Sequence, residues 1–171
     1  MFMERGFYNA PVDSPADVFD HGHGISTVDS VYVRREQTAI HLLVEEGRQF
    51  SFPTTSPSQF QPAQLHHSID RMLSLAPEAI YVTHFGRLTN PAPLGEDLHR
   101  LIDAHAQLGE RHRRAGTGRK RLLKEGVSEL VLAERERQGW RLPSEKVLEV
   151  FALDIELNAQ GIESWLDTEG K

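Results

Sequence analysis

The 171-residue sequence contains no cysteine. That excludes disulfides, thiolate metal ligands and a cysteine nucleophile. Long apolar runs are also missing: no stretch approaches the ~18 consecutive apolar residues that a membrane-spanning helix needs. Residues 1–15 show no basic start leading into an apolar segment, so the pattern predicts no signal peptide. Together these absences make the cytoplasm the expected location. Positive charge is in deficit, with 19 Lys and Arg against 25 Asp and Glu and a net charge of −6. An acidic balance argues against nucleic acid or an anionic membrane as the main partner. Short catalytic signatures are absent too. There is no His-Glu-x-x-His, and no Gly-x-Ser-x-Gly surrounds Ser56, Ser58 or Ser68. Gly116-Thr117-Gly118 lacks the spacing of a phosphate loop and follows a helical pattern, not a strand.

What is present suffices for a globular domain. Hydrophobic residues make up 39% of the chain, and a chain of this length buries roughly 70% of the surface its unfolded form exposes. Residues 1–19 have no clear period, and Pro11, Asp13, Ser14 and Pro15 read as an irregular arm. Residues 30–33 and 38–44 are rich in β-branched and aromatic residues and read as strands. Residues 45–48 form a turn, and residues 49–52 alternate as a further short strand. A proline-rich loop over 53–62 leads into a helix carrying Leu65, Ile69, Met72 and Leu73, with Pro62 in its first turn. Ala79-Ile80-Tyr81-Val82 then reads as a buried strand ending in Thr83-His84. Leu94, Leu98, Leu101, Ile102, His105 and Leu108 mark a long amphipathic helix, with Glu96 and Asp97 expected in its first turn. The glycines at 116 and 118 break the pattern before a helix marked by Leu123, Val127, Leu130 and Val131. Ser144 suits the N-cap of a last helical region with a wide apolar face, from Val147 to Leu166.

Several of these segments, taken in order, resemble one family. Residues 52–60 (Phe-Pro-Thr-Thr-Ser-Pro-Ser-Gln-Phe) run into residues 65–73 (Leu-His-His-Ser-Ile-Asp-Arg-Met-Leu) and then into Ile80-Tyr81-Val82-Thr83-His84-Phe85-Gly86. That order is similar to the C-terminal half of a bacterial group of metallo-β-lactamase-fold hydrolases. Residues 153–161, with Trp165-Leu166-Asp167, resemble the helical extension of the same group. Residues 22–29 and 40–48 look like its opening strands. The resemblance covers residues 20–168. It implies an α/β chain: an incomplete metallo-β-lactamase-like αβ/βα sandwich with a small sheet of three to five strands and a helical C-terminal half. The expected organisation is an arm over 1–19, a partial α/β region over 20–92, and a helical extension over 93–171 packed on it.

The departure lies in the middle. The family follows the strand at 40–48 with an Asp-x-Gly turn, the His-x-His-x-Asp-His signature, a further ligand histidine and a bridging aspartate. This chain passes from Gly47-Arg48 directly to residues 49–52, as if by an internal deletion around residues 46–50. Family members hydrolyse small-molecule substrates with one or two metal ions, typically zinc, whose bound water has its pKa lowered to about 7. A catalytic zinc needs about three protein ligands and an open position. The resemblance supplies one, His84, so the expectation is a family member with impaired catalysis.

The other histidines do not replace the missing ligands on sequence grounds. His21 and His23 lie in a glycine-rich lead-in, and no Asp-His follows them. His66 and His67 are adjacent on a helix and face about 100° apart. His66 and Asp70 share a face at i, i+4 and are placed to pair with each other. His105 and His112 lie two turns apart on one helix. Asp154 and Asn158 share a face of the last helix, where such residues cap, hydrogen-bond or face solvent. The alternatives are a non-catalytic interaction protein, or nucleic-acid binding through the basic segment 111–121. That segment holds Arg111, Arg113, Arg114, Arg119, Lys120 and Arg121 without interleaved aromatics, and pairing with Glu110 and Glu125 is the simpler account. Loss of the middle strands would uncover Ile40, Leu42, Val44, Ile80 and Val82, each worth about 1.5–3 kcal/mol when buried. A homo-oligomer through those apolar strands is therefore expected.

Overall fold

A computed structural model describes residues 17–20, 26–29, 40–45, 48–53, 55, 60–82 and 86–168. The described residues are mixed α/β and mostly helical, and the chain's contacts separate it into two units, residues 1–38 and 39–171. In the first unit β1 (Asp17–Asp20) pairs antiparallel with β2 (Ser26–Asp29). Asp17, Val18 and Phe19, assigned to an irregular arm by their sequence, are thus in a strand. The strand expected at 30–33 lies outside the described residues.

The second unit opens with a hairpin of β3 (Ile40–Glu45) and β4 (Arg48–Pro53), in which Glu45 faces Arg48 and Ile40 faces Pro53. Of the turn expected over 45–48, Glu45 and Arg48 are in the strands, and residues 46 and 47 lie outside the described residues. Helix α1 (Pro62–Ser74) starts at its proline, where the missing N–H costs nothing. β5 (Ala79–Val82) pairs antiparallel with β6 (Gly86–Thr89). This corrects the expectation of a buried strand: Tyr81 is 75% exposed, and Ile80 is only half-buried. Of the five side chains expected to be uncovered by a deletion, Ile80 is the one described. The described strands form three separate two-stranded antiparallel ladders.

Three long helices build the core: α2 (Pro91–His112), α3 (Arg119–Gln138) and α5 (Ala152–Thr168), with the short α4 (Ser144–Val150) before the last. Each long helix buries one stripe. In α2 it runs through Leu98, Leu101, Ile102, His105 and Leu108, in α3 through Leu123, Val127 and Val131, and in α5 through Ile155, Ala159, Ile162, Trp165 and Leu166. These are spacings of three and four residues, the apolar face of an α-helix. Two glycines let the stripes close. A Cβ on Gly126 of α3 would lie 2.2 Å from Leu108 Cδ1, and one on Gly109 of α2 would lie 2.8 Å from Ile162 Cγ2.

The element ends explain two differences from the sequence reading. Helix α2 begins at Pro91, so Glu96 and Asp97 lie beyond its first turn, and Asp97 instead accepts from Arg100 and Gln138. At the start of α4, Pro143 occupies the N-cap and Ser144 is the first helical residue, with no side-chain cap. Helix α3 stops at Gly139, whose φ of 67° suits a residue without Cβ, and Trp140 N–H bonds back to Arg135 O at 3.0 Å.

Candidate functional site

β4 carries the hairpin onto the helices. Ser51 Oγ donates to Leu94 O of α2 at 2.9 Å, and the Phe52 ring is buried edge-on against His105 and Phe151. Immediately beyond the strand, the chain is fastened to α5. Thr55 N–H donates to Asn158 Oδ1 at 2.7 Å, Thr55 Oγ1 donates to Asn158 O at 2.9 Å, and Asn158 Nδ2 donates to Pro53 O at 3.2 Å. Thr55 and Asn158 are both completely buried. Backbone groups leaving a strand inside a core must find partners, and one amide side chain serves both a donor and an acceptor here. Pro53 and Thr55 therefore meet Asn158 of α5 in one buried hydrogen-bond set. Asn158 is thus a structural fastener, one of the several roles (capping, hydrogen bonding or facing solvent) that its sequence leaves open.

His105 lies at the centre of the same core. Its Nδ1–H donates to Leu101 O at 2.7 Å, which leaves Nε2 as a lone pair with no partner. Burial disfavours the imidazolium and pushes the His105 pKa down to about 4, against the smaller opposing effect of the Leu101 carbonyl. His105 does not meet His112, which is partly exposed at the end of α2. Next to the core, Glu134 of α3 is 3% exposed and accepts from Arg100 Nη2 on both carboxylate oxygens and from the Gln138 amide on one. Asp97 closes the network through Arg100 and Gln138.

A second cluster joins α1 to α2. His66 Nε2 lies 2.9 Å from Asp103, and His99 Nε2 lies 3.1 Å from Asp70. The two Nδ1 atoms stand 2.5 Å apart. The expected His66–Asp70 pair is therefore replaced by a crossed arrangement, in which each histidine takes the aspartate of the opposite helix. The later α1 residue meets the earlier α2 residue, so the helices run antiparallel. His67 points away and is exposed, in keeping with the 100° between neighbours. His99 and Asp103 repeat the His66-x-x-x-Asp70 spacing, the one signal in the sequence for this second pair.

The remaining candidates divide clearly. His84, His21 and His23 lie outside the described residues, as do Ser56 and Ser58. Ser68 is partly buried on α1. The basic segment carries the internal pairs its sequence suggests, Arg113 with Glu110 and Arg121 with Glu125, and further pairs join Arg119 to Asp167 and Lys120 and Lys124 to Glu156. Those lysines and Gln160 hold the Glu156 carboxyl at about 2, with Lys124 the largest influence. Gly116–Gly118 is a single 3₁₀ turn between α2 and α3. Among the described residues no three His, Asp or Glu side chains converge on one point, and no helix is long and apolar enough to cross a membrane. No family model, curated protein or solved structure matches the chain.

Proposed function

We propose that this chain is a metallo-β-lactamase-fold hydrolase relative in which the C-terminal half stands as a self-supporting unit while hydrolysis is impaired. The observation that supports this reading is the Asn158 fastening: the two most family-like segments, far apart in sequence, are joined by three buried hydrogen bonds. A unit held that way keeps its core without the strands that would carry the metal-binding loop. In this reading the hairpin and α1 are the remains of an αβ/βα sandwich. His84 is the one inherited position for zinc, and the chain acts in the cytoplasm as an interaction module, alone or as a homo-oligomer.

The test is hydrolysis of ester, thioester and lactone probes by purified protein supplied with zinc, manganese or iron, compared with His84→Ala. The reading predicts equal background rates for the two proteins. Metal-dependent turnover by the parent chain that disappears in His84→Ala would establish an active hydrolase instead.

A further inference from the structure

The contact between His66 and His99 runs along a single line. The ring planes are parallel within 6°, and the centroids are 4.8 Å apart. That separation is the 2.5 Å nitrogen contact plus one ring radius on each side. The two Nδ1 atoms therefore point at each other head-on, the geometry of a hydrogen bond. The outer nitrogens fix the proton count. Nε2 of His66 lies 2.9 Å from Asp103, and Nε2 of His99 lies 3.1 Å from Asp70. Carboxylates only accept, so both Nε2 atoms carry hydrogen. Two neutral rings would then turn two bare Nδ1 lone pairs on each other. Two imidazolium rings would turn two N–H groups on each other. One proton for the pair satisfies both nitrogens, since one ring donates and the other accepts.

We propose that His66 and His99 share one proton between their Nδ1 atoms, and that this proton is a pH-sensitive clasp holding α1 to α2. The pair carries one positive charge between the carboxylates of Asp103 and Asp70, each on the helix opposite the ring it serves. A hydrogen bond with an ionised member is shorter and roughly twice as strong as a neutral one. The clasp matters because α1 is thinly anchored. Among its residues only Ile69 is fully buried, with Leu65, Met72 and Leu73 partly buried against the core. Raising the pH removes the shared proton and leaves two lone pairs in contact. Lowering it adds a second proton and sets two N–H groups in contact. Helix α1 is therefore held most firmly in an intermediate pH range and loosened on either side. Neighbouring charges do not replace the proton. Arg100, beside His99, is engaged by Asp97 and Glu134, and Arg137 of α3 also lies on Asp97. Glu163 and Asp167 of α5 pair with Arg119. Glu96, His67 and Arg71 are exposed, and the described side chains of β4 bring no charge. The clasp is independent of His84 and of the hydrolase reading.

Nuclear magnetic resonance of the parent chain, labelled with nitrogen-15 in its histidines, tests the proposal. The expected result near neutral pH is a nitrogen–nitrogen coupling between His66 Nδ1 and His99 Nδ1, transmitted through the shared proton, with hydrogen on both Nε2 atoms. Amide hydrogen exchange across a pH series then reads the clasp. Protection of the Ile69 amide in α1 is compared with that of Val127 in α3, which cancels the effect of His105 on the whole core. The ratio should pass through a maximum where the coupling is seen. It should fall ~10-fold on either side, the low end for a charged hydrogen bond because the two side chains are 27% and 26% exposed. The maximum should vanish in His66→Gln and in His99→Gln and persist in His67→Gln. Circular dichroism identifies any variant that fails to fold, and the coupling in the parent decides the matter in that case. Absence of the coupling at every pH where the chain is folded, or a protection ratio that does not follow it, overturns the proposal.

Discussion

Replacing Asn158 by Ala removes the acceptor for Thr55 N–H and the donor to Pro53 O, at 2.7 Å and 3.2 Å, in a place with no solvent. Neither backbone group gains a new partner, because both are enclosed by α5 and the end of β4. An orphaned buried polar group costs about 1–3 kcal/mol, so two of them, with the lost side-chain volume, predict a destabilisation of about 2–5 kcal/mol. Urea unfolding followed by circular dichroism at 222 nm, the ordinary helix band, measures it. The expected result is a lower midpoint with an unchanged slope. Asn158→Leu separates hydrogen bonding from packing, since leucine has similar bulk and no polar atoms. If Asn158→Leu is within ~1 kcal/mol of the parent, the fastening contributes by volume alone and the reasoning is refuted.

Other predictions concern the same core. His105 has a folded-state pKa of about 4 against 6.5, so folding excludes a proton that the unfolded chain accepts. Its contribution is complete above pH 6.5 and falls away as pH drops toward 4, by up to about 3 kcal/mol. Denaturation at a series of pH values should show this slope in the parent and lack it in His105→Leu, and equal slopes would refute it. Arg100→Met leaves the buried Glu134 carboxylate with Gln138 alone. Because Arg100 is partly exposed, a loss of about 2–3 kcal/mol is expected at pH 7, below the full cost of breaking a buried pair. Arg100→Met/Glu134→Leu should recover most of that loss in the same denaturation assay, and no recovery would contradict the account. Gly126→Ala drives a methyl into Leu108, which is itself enclosed, for an expected cost of about 1–3 kcal/mol by thermal unfolding. Gly118→Ala meets nothing within 4 Å and serves as the control.

The helices were the most legible part of the chain because their periodicity is local. Leu98, Leu101, Ile102, His105 and Leu108 announce the buried face of α2, and Pro62 and the glycines after His112 mark boundaries by their backbone chemistry alone. The pairing of strands was less legible. Residues 79–82 look like a buried parallel strand in isolation, and only their antiparallel partner at 86–89 makes a hairpin with Tyr81 in solvent. Polar partnerships were hardest to anticipate. His66 and Asp70 satisfy the spacing rule for a pair on one helix, yet a facing helix with the same spacing offered each of them a different partner. Asn158 looked like an ordinary polar residue of α5, because the groups it satisfies, at 53 and 55, are distant in sequence. Its burial follows from the apolar residues on either side of it, Ile155, Ala159 and Ile162, which set the face on which it lies.

The central claim is that the end of β4 and helix α5 belong to one cooperative unit. Native-state hydrogen exchange at the Thr55 amide tests it most directly. The account predicts that this proton exchanges only on global unfolding, with the same free energy as the amides of Val127 and Ile162. Exchange of Thr55 through a local opening, several kcal/mol below those helical amides, would contradict it.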